Sequence, residues 1–401
     1  MARGTLVKLG DVVQQTKDTV KPREVGLRRI VAGQHMESDY LNVRTWGEIK
    51  DDYLGPAFHM RFRPGHVLYG SRRTYLRKVA QVDFEGVCSN TTFVLEPRDP
   101  ASLLPDFLLY VLSTESFHQH SQRQSKGSVN PYVNFSDLGW YEFLLPPAHE
   151  QRRLLAALGA ARRLHEDLSV LRDTTILSLY SLRDDAYTRA SAAAKHVYLS
   201  QLVRPSRPIC YGILMPGTGL EEGVPVVKVK DYPSGTIDAS DLLLTSPEID
   251  EEFRRSRLST GDLLVSIRGT IGRIADVPER LNGANITQDS ARVSLRDGVD
   301  RPFVRAMLES LEVQRRMYSN IPPPAVPGKP RPSAEPRPSI QGLNIGALRK
   351  ISIPLPSSEF QEEIGSACTN LRGAIDAASR RVDEARALRD HVIDNLVGGA
   401  T

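Results

Sequence analysis

The chain has 401 residues, 40% of them hydrophobic and 25% charged, with a net charge of +4. That length exceeds one ordinary core, so two or more domains are expected, and the composition is that of a globular protein. No apolar run is long enough to span a bilayer and the start, MARGTLVKLGDVV, lacks a signal-peptide core, which argues against a membrane and for a cytoplasmic protein. The mild basicity permits nucleic-acid binding without arguing for it. Cys88, Cys210 and Cys368 lie far apart, without metal-ligand spacing, and read as structural thiols of a reducing compartment.

In chain order, a short start at 6–13 (LVKLGDVV) leads into brief apolar or alternating runs, HVLYG and NTTFVLE, which read as strands. A strand ending in proline, YEFLLPP at 141–147, closes this part, and a segment of helical composition follows at 148–194. The same order then returns: VYLSQLVR at 197–204, the runs PVVKVKD and DLLVSIR, the closure ISIPLP at 351–356, and a second helical segment at 357–398.

The return is an internal repeat. At an offset of 196, Gly65 falls on Gly261, Leu68 on Leu264, Arg72 on Arg268, Thr74 on Thr270 and Arg77 on Arg273. Phe107 and Leu112 fall on Phe303 and Leu308, in two apolar, helix-like stretches. Further on the offset is 210: Asn134 matches Asn344, Leu138 matches Leu348, and Gln151 matches Gln361. The difference requires an insertion in the second half, and residues 322–338 supply it with eight prolines, a composition that forms neither helix nor inner strand.

In the first long segment Leu154, Leu158, Ala161, Leu164, Leu168, Leu171, Thr175, Leu179 and Leu182 recur about every 3.5 residues. In the second, a heptad lattice runs from Ile364 through Cys368, Leu371, Ile375, Ala378, Val382, Ala385 and Val392 to Leu396, broken at Arg389. Such spacing predicts a helix–helix seam, and the simplest partners are each other. Forty residues of helix make a rod of about 60 Å, which spans about 18 base pairs of DNA.

Catalytic signatures are lacking. Asn130-Pro131-Tyr132 lacks the second proline of an amino-methyltransferase motif and follows a polar Gly-Ser segment. Pro105-Asp106 has no acidic-x-Lys downstream, as a metal-dependent nuclease needs, and GTIGRI at 269–274 lacks the Lys-Ser/Thr of a phosphate loop. His118 and His120 have no third ligand nearby and read as a solvated pair on a helix. Two corresponding segments carry basic charge instead: 61–78 holds Arg61, Arg63, Arg72, Arg73, Arg77 and Lys78 without an acid, and 254–273 holds Arg254, Arg255, Arg257, Arg268 and Arg273 against Asp262. Arginine suits both phosphates and the guanine edge. The candidate DNA-contact residues are therefore Arg72, Arg73, Thr74, Arg77, Lys78, Arg268, Thr270 and Arg273. The donor-rich loop Ser125, Lys126, Asn130 and Tyr132 joins them, as do Gln288 and, more loosely, Asn285, Thr287 and the insertion's Lys329, Arg331 and Arg337.

The LVKLGDVV entry, the hairpins PGHVLYGSRR and TGDLLVSIRGTIGR, and the closures FLLPPAHEQRRLLAAL and ISIPLPSSEFQEEIGSAC, in duplicated order over essentially the whole chain, resemble the specificity subunit of type I restriction–modification systems. The resemblance implies an α+β fold of two tandem strand-rich target-recognition domains, 1–147 and 195–356. Each is followed by a long spacer helix, 148–194 and 357–398, and the helices pair as an antiparallel coiled coil with a pseudo-twofold relation. It implies a non-catalytic subunit that reads a bipartite, asymmetric site on double-stranded DNA. The implied partners are two methyltransferase subunits, which bring S-adenosylmethionine, and motor-nuclease subunits. The polyproline insertion and the arginine-dense first hairpin depart from the usual pattern and leave another phage-defence methyltransferase open as the partner. A protein-interaction scaffold that does not touch DNA is the rival reading.

Overall fold

The computed structural model describes residues 4–38, 40–49, 55–320 and 342–397. The proline-rich stretch 322–338, with Lys329, Arg331 and Arg337, lies outside the described residues. The chain forms two compact units, Met1–Arg172 with Ala377–Thr401, and Asp173–Asp376.

In the first unit the entry strand Thr5–Lys8 pairs antiparallel with Glu142–Leu145, so the last strand returns to the first. The run HVLYG becomes the strand Val67–Gly70, central in a four-stranded sheet between Thr92–Pro97 and Val79–Gln81. It is apolar throughout because both its faces are covered. Val67 and Tyr69 pack with the helices Pro105–Val111 and Glu115–Arg123, whereas Leu68 packs with Val31, Phe62 and Cys88 of a second sheet. Each such fully buried side chain contributes about 1.5–3 kcal/mol. Gly65 turns the chain into this strand with φ +89°, which only glycine adopts without strain, and Gly261 repeats the turn at +84°.

The second unit repeats the plan. His196–Tyr198 pairs with Ser352–Pro354, and Leu263–Ser266 lies between Ser290–Val293 and Ile274–Asp276. Leu263 and Val265 face the helices Arg301–Leu308 and Leu311–Ser319, and Leu264 faces Val227 and Ile286. Its second sheet has three strands rather than four. The strand Phe58–Phe62 of the first unit, next to Gly86–Ser89, has no partner of that kind beside Asn285–Ile286. Residues 250–256 meet that strand through side chains: Ser256 Oγ donates to Asn285 Oδ1 at 2.7 Å, and Asn285 Nδ2 donates to Asp250 Oδ1 at 2.8 Å. Asn285 is thus wholly buried and structural, contrary to the DNA contact expected of its amide.

The long helices run Ala148–Ala193 and Ser358–Val397. In the first unit Leu154 and Leu158 of one share a core with Ile393 of the other. In the second unit Leu179, Ala186 and Ala190 share a core with Ile364 and Cys368. Start therefore meets end, and the helices are antiparallel. Gln151 anchors the first, accepting from Leu104 N and donating to Ser102 O and Pro146 O at 2.7–2.9 Å. Gln361, its repeat partner, makes the same kind of bonds to Asp300 N and Pro356 O.

The second helix buries Ile364, Cys368, Ala378, Val382 and Ala385 of the expected lattice, leaves Leu371, Ile375 and Val392 partly buried, and buries Arg389, expected to break it, in the seam at 5% exposure. The first helix corrects the reading of its stripe. Leu154, Leu158 and Leu179 of the expected stripe are buried, but Leu164 and Leu171 are exposed, and His165, Ser169, Arg183, Ala186, Tyr187 and Ala190 are buried instead. The stripe holds towards both ends and turns outward in the middle of the helix. Within the first unit Arg389 Nη1 lies 3.5 Å from His165 Nδ1, a buried polar layer in the seam that a count of leucines does not show.

Two further contacts tie the globular parts to the helices. Asp394 accepts the backbone N–H of Glu115 at 2.8 Å, and Asp184 accepts that of Leu311 at 2.8 Å. These aspartates stand 210 residues apart, so each short helix is capped by the long helix of the other repeat. In the second unit Glu309 also receives Arg183 at 2.6 Å, Arg305 at 3.1 Å, and Arg372, joining both helices to the domain.

Candidate nucleic-acid interface

Sequence counting placed six cations in 61–78, but distant acids neutralise half of them. Arg61 pairs with Glu85 at 2.6 Å, Arg63 with Asp18 at 2.7 Å, and Arg77 with Glu115 through two bonds of 2.6 and 3.0 Å. In the second unit Arg254 pairs with Glu251 at 3.2 Å, and Arg257 with Asp250 and Glu251 at 2.6 and 2.7 Å. Arg72 and Arg73 are exposed, with no carboxylate partner among the described residues. Arg268 and Arg273 are half-buried and likewise have none among them.

The turn after Val67–Gly70 brings the first group together. Ser71–Arg73 lies along 131–133: Val133 N donates to Ser71 O at 3.0 Å and Arg73 N to Pro131 O at 2.6 Å. The loop 126–132 closes on itself through two backbone bonds between Lys126 and Tyr132 at 2.8 and 2.9 Å. The Arg72 guanidinium lies 4.9 Å from the centre of the half-exposed Tyr132 ring, a planar cation on an aromatic platform. Arg72, Arg73, Lys78, Thr91 and Asn130 line an open concavity of about 440 Å³. Lys78 donates to Gly33 O, and burial followed by the nearby Arg73 lowers its pKa.

Other predicted residues take supporting places. Thr74 is buried, its Oγ1 2.7 Å from Ser125 Oγ, so both fasten the turn to the loop. Lys126 is paired with Asp137 at 2.8 Å. His118 is buried rather than solvated, and burial pushes its pKa down to about 4. His120 Nε2 lies 3.0 Å from Asp137 O. No cluster able to hold a metal exists among the described residues.

The second unit presents Arg268 at the corresponding point. The bridge Arg72↔Tyr132 becomes Arg268↔Gly342, its two sides displaced by the two offsets read in the sequence, 196 and 210. The chemistry differs: glycine replaces the ring, and Arg268 Nη1 donates to Gln288 Oε1 at 2.6 Å. Thr270 is exposed, Arg273 N donates to Ser266 Oγ at 2.8 Å, and Thr287 is buried. Arg73, with φ +51°, stands where the second repeat has Gly269 at +69°. Only Arg73 and Arg77 hold positive φ among the described non-glycine residues.

Two units thus present an arginine at equivalent points in unlike surroundings, and solved structures have the same plan. The S subunit of a type I restriction–modification system from M. genitalium matches over 99% of this chain and 96% of its own, with a TM-score of 0.56 and 16% identity. The fold is that of a type I specificity subunit. A chain from a study of complex assembly and conformational transition in the type I R-M system matches over 99% of this chain and 98% of its own, at TM-score 0.53 and 18% identity. In sequence, the EcoBI specificity subunit of Escherichia coli is 30% identical over 203 residues, which are 50% of this chain and 40% of that protein. The EcoDI specificity subunit of Escherichia coli is 26% identical over 125 residues, 31% of this chain and 27% of that one. The matches span less than half the length of these curated relatives. No family model matches the chain. Among the described residues no helix is long and apolar enough to cross a membrane.

Sequence reasoning missed Thr91 and Gly70 as walls of the concavity. The Asn90-Thr91-Thr92 turn between two strands was the available signal for Thr91. It also missed Leu214, whose carbonyl lies 3.4 Å from Gln288 Nε2, because only the fold brings 214 beside 288.

Proposed function

We propose that the chain is the sequence-reading, non-catalytic subunit of a type I restriction–modification complex, or of a related phage-defence methyltransferase, acting in the cytoplasm. Residues 1–147 and 195–356 act as target-recognition domains, each reading one half of a bipartite site on double-stranded DNA. The segments 148–194 and 357–398 act as spacers and as the seat of two methyltransferase subunits. Those subunits bring S-adenosylmethionine and methylate adenine, and motor-nuclease subunits cut unmodified DNA. Arg72, Arg73, Lys78, Asn130 and Tyr132 meet the first half-site, and Arg268, Thr270, Arg273 and Gln288 the second. Thr74, Ser125, Lys126 and Arg77 position these groups.

The equivalent placement of Arg72 and Arg268 carries this reading, because a duplicated reader with unlike surroundings suits an asymmetric target. The test is binding of the full chain to duplex DNA across a salt series. If about four of these cations touch phosphates, the logarithm of affinity falls with that of salt at a slope of about −4. Salt-insensitive binding, or none, would favour the scaffold reading.

A further inference from the structure

Beside Arg268 the chain holds two large apolar side chains out in solvent: Leu214 is 48% and Met215 79% exposed. Single exposed apolar residues are ordinary. These two differ in how tightly their backbone is fixed. On one side Ile213 is fully buried, its N–H donating to Ile286 O at 2.8 Å and its carbonyl accepting from Gln288 N at 2.9 Å. Gly212 lies so close to that strand that a Cβ would meet Ile286 O at 1.9 Å. On the other side Thr245 Oγ1 donates to Pro216 O at 2.9 Å, and Leu220 N to Leu244 O at 3.1 Å. Leu214 and Met215 are therefore the tip of a loop pinned at both ends, and little freedom remains to be lost when they are covered.

The Gln288 amide connects this tip to the proposed reader. Its Oε1 accepts from Arg268 at 2.6 Å while its Nε2 reaches Leu214 O at 3.4 Å. A guanidinium and an apolar tip joined through one amide match the two features of adjacent base pairs in the major groove: guanine O6/N7, and the thymine 5-methyl group, the apolar feature of that edge. We infer that Leu214 and Met215 are specificity-determining residues that cover a thymine methyl beside the base pair engaged by Arg268. This rests on the DNA-reading function proposed above and extends it to the apolar half of recognition in the second domain.

The probe is a duplex carrying the site whose adenine methylation depends on this gene, with each thymine replaced singly by deoxyuridine, which removes only the methyl. Binding is measured by competition against the full chain with its co-purifying subunits. One uracil in the second half-site lowers affinity about fourfold, the worth of one buried methyl, in the wild type, and has no effect on the L214A/M215A variant. Both residues are exposed, so the variant melts at the wild-type temperature. Three results would overturn the inference while leaving DNA reading intact. They are a second half-site without thymine, equal uracil sensitivity in both proteins, and a variant that loses affinity with no uracil effect in the wild type. Failure of the wild type to prefer this duplex over an unrelated one would remove the proposed function, and this inference with it.

Discussion

Replacing Arg73 with glycine separates the needs of the fold from those of the proposed reader. Arg73 sits at φ +51°, ψ +58°, in the left-handed region. Holding a non-glycine residue there costs about 1–2 kcal/mol. Glycine removes that strain and adds about 0.5–1 kcal/mol of unfolded-state entropy, so R73G gains about 0.5 kcal/mol. Nothing offsets the gain: the side chain is exposed without a carboxylate partner among the described residues, and the bond from its N–H to Pro131 O at 2.6 Å survives in glycine. The second repeat already has glycine there, Gly269 at φ +69°. In thermal melts of the full chain the variant rises by about 1–2 °C. On duplex DNA it loses about tenfold in affinity if Arg73 meets a base edge, or about 0.9 in salt slope if it meets a phosphate. A residue kept under strain for recognition behaves in this way. An R73G protein destabilised by more than 1 kcal/mol, or one that binds DNA as the wild type does, would refute the reasoning.

Asp184→Ala and Asp394→Ala each remove a cap from a short helix and cost about 1 kcal/mol, read in urea midpoints. Glu309→Gln strips the shared carboxylate from Arg183, Arg305 and Arg372 and costs about 3–5 kcal/mol, because Arg183 and Arg372 lose their counter-charge while Arg305 keeps Asp276; a loss under 1 kcal/mol would show that the network adds no stability. His118 is neutral in the fold, its pKa held down to about 4 by burial, against an ordinary 6.5. Between these values the unfolded chain binds a proton that the native one does not, so stability is present above pH 6.5 and falls as pH drops towards 4, by on the order of 3 kcal/mol. His118→Gln flattens that part of the urea-midpoint profile.

The repeat was legible because its marks are backbone demands. Gly65 and Gly261 sit at positive φ, Leu68 and Leu264 occupy doubly covered strands, and Gln151 and Gln361 staple equivalent helix starts. The seam of the first long helix was legible at Leu154, Leu158 and Leu179 but not in between. Leu164 and Leu171 outrank His165 and Ser169 on any hydrophobic count, yet they lie outside. Site residues were legible by repeat position and not by charge. Glu85, Asp18 and Glu115 neutralise their arginines from across the fold, where no window of sequence shows them. Asn285 reads as a turn residue and is instead fully buried, because Asp250 and Ser256 come to meet it.

The central claim is that this chain chooses the DNA sequence for a methylating partner. Mapping methylated adenines across the native genome, with the gene intact and deleted, tests it most directly. The account predicts loss of methylation at one bipartite, asymmetric motif on deletion, with all other methylation retained. In a strain that carries such methylation, an unchanged map after deletion would contradict it.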